Sequence, residues 1–97
     1  SDIRLKANIE DLYIGLDVIN KINAKKYYYK KMKDSLCYGY IAQELEKIIP
    51  DIVETDNDDI KHVHYIELIP IMCNAIKELN TKMQVLSQEL IELRNKK

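Results

Sequence analysis

Phenylalanine and tryptophan are absent from these 97 residues, and seven tyrosines make up the whole aromatic complement. The core must therefore be aliphatic, with tyrosine hydroxyls reaching its margin. Cysteine is scarce as well: Cys37 and Cys73 stand without a CxxC pair or a cluster of partners. That excludes a disulfide framework and leaves two reduced thiols, in the core or at the surface. Long hydrophobic runs are missing; the longest are two or three residues, so no segment reads as a membrane span. No secretory leader is legible either, since the opening SDIRLK is charged from its second residue. An excess of one charge is also lacking. With 15 basic and 16 acidic side chains the net charge is −1, which removes the bulk electrostatic case for nucleic acid or an anionic membrane.

What is present is an ordinary soluble balance, 46% hydrophobic and 32% charged, which excludes wholesale disorder. A chain this short forms at most one domain, and as a monomer it is only marginally able to enclose a core. Residues 1–6 alternate apolar Ile3 and Leu5 with polar Asp2, Arg4 and Lys6, the pattern of a short extended segment. Leu12, Leu16 and Ile19 recur at helical spacing and predict a helix over 12–22. KKYYYK at 25–30 favours a strand, and KKMKDS at 30–35 reads as a turn. YGYIAQELEKII at 38–49 puts Ile41, Leu45 and Ile48 on one helical face, ended by Pro50. Two short strands over 51–54 and 60–65 flank the acidic turn TDNDD, a candidate hairpin.

The last third carries the clearest pattern. Ile69, Met72, Ile76, Leu79, Met83, Leu86, Leu90 and Leu93 follow one another at steps of 3, 4, 3, 4, 3, 4 and 3, a heptad seam without a break. Pro70 sits early, where a first helical turn tolerates it. A helix over 67–96 is about 45 Å long, more than the small head before it can cover. Self-association is the economical answer. In a parallel arrangement Glu89 at a g position faces Arg94 at an e position of a neighbour. The mixture of Ile, Met and Leu leaves dimer and trimer both open.

Three constellations bear on chemistry. His62 and His64 share a strand face and suit a metal, yet no third ligand pattern accompanies them. They read as surface or interface histidines, and neither a metal nor another cofactor is expected. The KKYYYK stretch has the makings of a stacking platform for single strands, but strand alternation splits its tyrosines between faces. Ser1 and Lys6 have the chemistry of a nucleophile and its base if the lysine is desolvated. Their spacing alone carries little. On a straight strand they lie roughly 16 Å apart on opposite faces, and on a helix about 140° apart around the axis. A bend between them, or a neighbouring chain, is needed to bring them together.

In order along the chain stand Ser1, Asp2, Arg4 and Lys6; Tyr-Gly-Tyr-Ile-Ala-Gln-Glu at 38–44; and Tyr65, Leu68, Ile69 and Pro70 opening the final helix. Together these motifs resemble the endosialidase-type intramolecular chaperones and autoproteases that end phage tail spikes and fibres, with a related domain in the animal myelin regulatory factor. The resemblance covers essentially the whole chain. It implies an α+β fold: a small mixed head with short strands and two short helices over 1–66, then a helix over 67–97 forming a parallel trimeric coiled coil along the seam above.

It further implies a homotrimer that guides folding of an upstream β-rich fibre or spike of the same precursor, in the host cytoplasm during virion assembly. The domain then frees itself by cutting just before Ser1, with Ser1 as nucleophile and Lys6 as base. Asp2, Asn8 and Gln43 are the polar candidates for orienting the dyad or lining an oxyanion hole. Neither nucleic acid nor membrane is an expected partner. The competing expectation is a non-catalytic trimerisation tag at the end of a fibre.

Overall fold

The computed structural model describes residues 1–96. Aliphatic side chains from the middle of the chain and the start of the last helix make the core: Val18, Leu45, Ile49, Ile52, Leu68 and Ile71. Tyr40 packs at its edge, so the aliphatic core with tyrosine at its margin follows from composition.

The first turn departs from the extended segment expected of it. Residues Ile3–Leu5 form a 3-10 helix, because the carboxylate of Asp2 accepts the backbone N–H of Arg4 and caps the turn. A short helix, α1, spans Leu16–Ile19, which is less than the 12–22 expected. Three hydrogen bonds account for the shortening, two of them from a residue far along the chain. The side-chain amide of Asn74 donates to the carbonyls of Leu12 and Ile14, and Asp17 accepts the N–H of Gly15. The chain is thereby held out of helical conformation up to Gly15 and enters the helix only there.

Strand β1, Lys25–Tyr29, pairs antiparallel with β2, Met32–Gly39. The reversal needs only Lys30 and Lys31, so most of the KKMKDS stretch expected as turn lies in a strand. Pairing across the hairpin supplies hydrogen bonds that local propensity does not register. The same pairing takes Tyr38 and Gly39 into β2, opposite Lys26 and Lys25, and the helix expected over 38–49 contracts to α2, Ala42–Glu46. A 3-10 turn at Pro50–Ile52 follows, with proline at its start. β3, Val53–Thr55, and β4, Lys61–Val63, form the expected hairpin around TDNDD, with shorter strands than the 51–54 and 60–65 expected, because the 3-10 turns at Pro50–Ile52 and Tyr65–Glu67 take up their outer ends. Asp56 closes its loop by accepting the N–H groups of Asp58 and Ile60.

Helix α3 covers Leu68–Asn95, 28 residues, about 42 Å at 1.5 Å per residue. It buries only Leu68, Ile71 and Ala75 against the head. From Leu79 to Lys96 every residue is exposed. The molecule is accordingly elongated, with extents of 66 × 41 × 22 Å. Among the described residues no helix is long and apolar enough to cross a membrane.

Candidate active site at Ser1 and Lys6

The residues of Ser-Asp-x-Arg-x-Lys divide their labour within six positions. Asp2 accepts the Arg4 backbone N–H at 2.9 Å and the guanidinium twice over, with Nη2 at 2.8 Å from Oδ2 and Nε at 3.2 Å from each carboxylate oxygen. This fork-to-fork pair fixes the turn. The Arg4 guanidinium, with its backbone N–H in support, holds the Asp2 carboxyl below the ordinary carboxylate range, and Asp2 in return raises the Arg4 guanidinium. Leu5 and Lys6 donate their N–H groups to Asp2 and Ile3, closing the 3-10 turn. Lys6 then leaves the turn in extended backbone, and its ammonium folds back to donate to Ser1 Oγ at 2.7 Å.

The bend between Ser1 and Lys6 is thus a 3-10 turn inside one chain, with no neighbour required. Neither a strand nor an α-helix gives this approach; the tighter turn does. Both side chains are exposed in the single chain.

The three supporting candidates are placed differently from one another. Asp2 is committed to Arg4, so it orients the turn and, as a carboxylate, has no proton to donate to an oxyanion. Asn8 takes a left-handed φ of 52°, where asparagine is tolerated, and redirects the chain just past the dyad. Gln43 lies in the first turn of α2 and lines a groove of about 320 Å³ with Tyr27, Tyr29, Tyr40 and His62. Among the described residues no hydrogen bond joins Asn8 or Gln43 to Ser1.

The central Tyr-Gly-Tyr motif has a structural reason. A Cβ on Gly39 would collide with the Tyr65 hydroxyl, which accepts the N–H of Tyr40 at 3.0 Å. Glycine leaves the room that the end of the Tyr65 ring needs to reach the Tyr40 N–H. On β1, Tyr27 and Tyr29 share one face, edge to face at 5.3 Å between ring centres with their hydroxyls 3.4 Å apart. That hydrogen bond pushes the Tyr27 phenol up to about 12. The two histidines each meet a carboxylate: His62 Nε2 lies 2.7 Å from Asp56 Oδ2, and His64 Nε2 lies 3.0 Å from Glu54 Oε2.

Sequence reading missed the joint that carries the opening segment. Gly15 packs so closely on α3 that a side chain there would strike Asn74, Ala75 and Glu78. Glu78 accepts the N–H of Leu16, and Asn74 holds Leu12 and Ile14. With only two glycines in the chain, Gly15 itself was the available signal of a close backbone approach.

Residues 1–54 match the family described as chaperone of endosialidase, a stretch that holds Ser1, Lys6 and the Tyr-Gly-Tyr motif. The chain belongs to the chaperone-of-endosialidase family. It is also similar to the long tail fiber protein Gp37 of Salmonella phage S16, 29% identical over 105 residues. That likeness takes in 98% of this chain but only 14% of the fibre protein, so the chain spans about one seventh of its relative's length. The chaperone-of-endosialidase match ends in β3, whereas the likeness to the fibre protein runs on through β4 and α3.

Proposed function

We propose that this chaperone-of-endosialidase domain serves a phage fibre as an intramolecular chaperone. In this reading three copies join through the α3 seam, hold the upstream β-rich fibre in register, and then cut free before Ser1. The observation that carries the cleavage is the 2.7 Å approach of Lys6 Nζ to Ser1 Oγ within one chain. The seam supports assembly: Ile69, Met72, Ile76, Leu79, Met83, Leu86, Leu90 and Leu93 are between 48% and 66% exposed, none of them among the residues that α3 buries against the head. Residues 1–66 act as the head and 67–96 as the bundling segment of one functional unit; Lys97, the last residue of the expected span, lies outside the described residues.

The chemistry follows from the dyad. Ser1 Oγ attacks the carbonyl carbon of the residue before it while its proton passes to Lys6 Nζ. The tetrahedral intermediate collapses with loss of the C–N bond, and the proton returns to the departing Ser1 amine. Water then hydrolyses the resulting ester, leaving a carboxylate on the fibre and the free hydroxyl on Ser1. A lysine serves as base only when neutral, a form that desolvation favours, and the exposed dyad of one chain leaves that desolvation to the assembled state. Release removes the template that refolding would need, so the fibre becomes kinetically rather than only thermodynamically stable. The setting is the host cytoplasm during virion assembly.

Expression of the chain behind its native upstream segment, followed by a denaturing gel, tests the proposal. Two bands with a new N-terminus at Ser1 are expected, and a single full-length band for Lys6→Met and for Ser1→Ala. Prompt cutting of Lys6→Met sinks the base assignment. One stable band from the unaltered chain supports instead a non-catalytic trimerisation tag, which needs the seam but not the dyad.

A further inference from the structure

We propose that the β1–β2 hairpin of one copy docks on the β3–β4 hairpin of a second copy, basic turn against acidic loop. The proposal rests on the self-association read from the seam and adds a contact between heads that the seam does not include.

The charges of the head are sorted by hairpin. Lys25, Lys26, Lys30, Lys31 and Lys33 stand on β1–β2, with no acidic residue among positions 25–33. Asp51, Glu54, Asp56, Asp58 and Asp59 stand on or beside β3 and its loop, with no basic residue among positions 51–59. All ten are exposed. A chain with a net charge of only −1 thus carries two patches of opposite sign.

Their own chain leaves these patches unmatched. Among the described residues no ion pair joins the two hairpins, and Lys26, Lys30, Lys31, Lys33, Asp58 and Asp59 form none at all. Tyr27 and Tyr29 of β1 and Lys61, His62 and Val63 of β4 line one groove of about 320 Å³, an open space between the hairpins.

Symmetry and attachment point to a second copy as the occupant. In a ring of identical chains each interface joins two different patches. Like hairpins brought together would repel, whereas the basic and the acidic one attract. Both are rooted at the entry to α3. β4 runs into that helix through the turn Tyr65–Glu67, and Tyr40, next after β2, donates its N–H to the Tyr65 hydroxyl. Ile69, the first seam residue, follows within the first turn of α3. Packed helices stand about 8–10 Å apart, and a strand of eight residues such as β2 is about 26 Å long. Copies in register along the seam therefore bring each basic hairpin within reach of a neighbour's acidic loop.

A carbodiimide, which couples an amine directly to a carboxylate it touches, makes the test on oligomers assembled from isotope-labelled and unlabelled full-length chains. Cross-links from Lys30, Lys31 or Lys33 to Asp58 or Asp59 should join a labelled to an unlabelled chain, and should be lost from a seam-broken Leu79→Asp/Leu86→Asp chain. In sedimentation at low salt, Lys30→Glu/Lys31→Glu should weaken association at least about threefold. That difference should close in about 1 M salt, where charges are screened within about 3 Å. An assembled wild type whose hairpin cross-links form only within single chains, or not at all, overturns the docking but leaves the seam standing. Association unchanged at low salt by Lys30→Glu/Lys31→Glu also overturns it. A wild type that stays monomeric at every concentration overturns docking and seam together.

Discussion

Asp2 and Arg4 do for the dyad what neither dyad member does for itself: they set the turn that returns Lys6 to Ser1. The carboxyl of Asp2 is lowered in the folded chain, so its contribution is present above the ordinary carboxylate range and is lost as pH falls through that lowered value. The turn should therefore persist at pH 5 and loosen only below about pH 4, which an NMR titration of Asp2 and Arg4 resolves. An onset near neutrality would contradict this assignment. Gly39 poses a separate residue-scale test. Gly39→Ala forces a methyl onto the Tyr65 hydroxyl and should destabilise the head by about 1–3 kcal/mol in denaturant unfolding. Tyr65→Phe keeps the ring but leaves the Tyr40 N–H without its acceptor, at a cost of about 1 kcal/mol.

At the scale of elements, legibility tracked how local the determinants were. The heptads of α3 and the hairpin around TDNDD depend on spacing within a few residues, and both stand where the sequence places them. The opening turn, α1 and α2 do not. The turn rests on a local cap, Asp2 on the Arg4 N–H, that alternation of apolar and polar residues does not register. The extents of the two helices depend on partners distant in the chain, Asn74 for α1 and Tyr65 with the β1–β2 pairing for α2. The meeting of Ser1 and Lys6 was half legible, since the spacing demanded a bend but not its kind. The grip on the opening segment was not legible at all, because Asn74 and Leu12 lie 62 positions apart. Asn74→Ala should remove that grip and speed proteolysis within residues 5–14, while the circular dichroism of the head stays unchanged. Unaltered cleavage of this segment would show that Gly15 alone anchors it.

Over the whole molecule the balance between covered and open apolar surface is lopsided. Among the described residues seven apolar side chains are buried, while the seam and the apolar residues of the opening segment lie open. Single-chain burial of that size supports a small domain only marginally, which is the physical reason to expect company. Leu86→Asp should abolish the oligomer in sedimentation while leaving the head folded, since nothing of the head touches Leu86. An oligomer surviving that change would move the interface elsewhere.

The lower half of α3 has one more consequence. A helix of that length with no partner is barely stable in water, and residues 79–96 have none in their own chain. In the proposed assembly their helicity depends on how many copies are near, and dilution should erode the ellipticity at 222 nm before it unfolds the head. Such a tail would then work as a gauge of local abundance, frayed when nascent chains are made far apart and wound up when they are made close together.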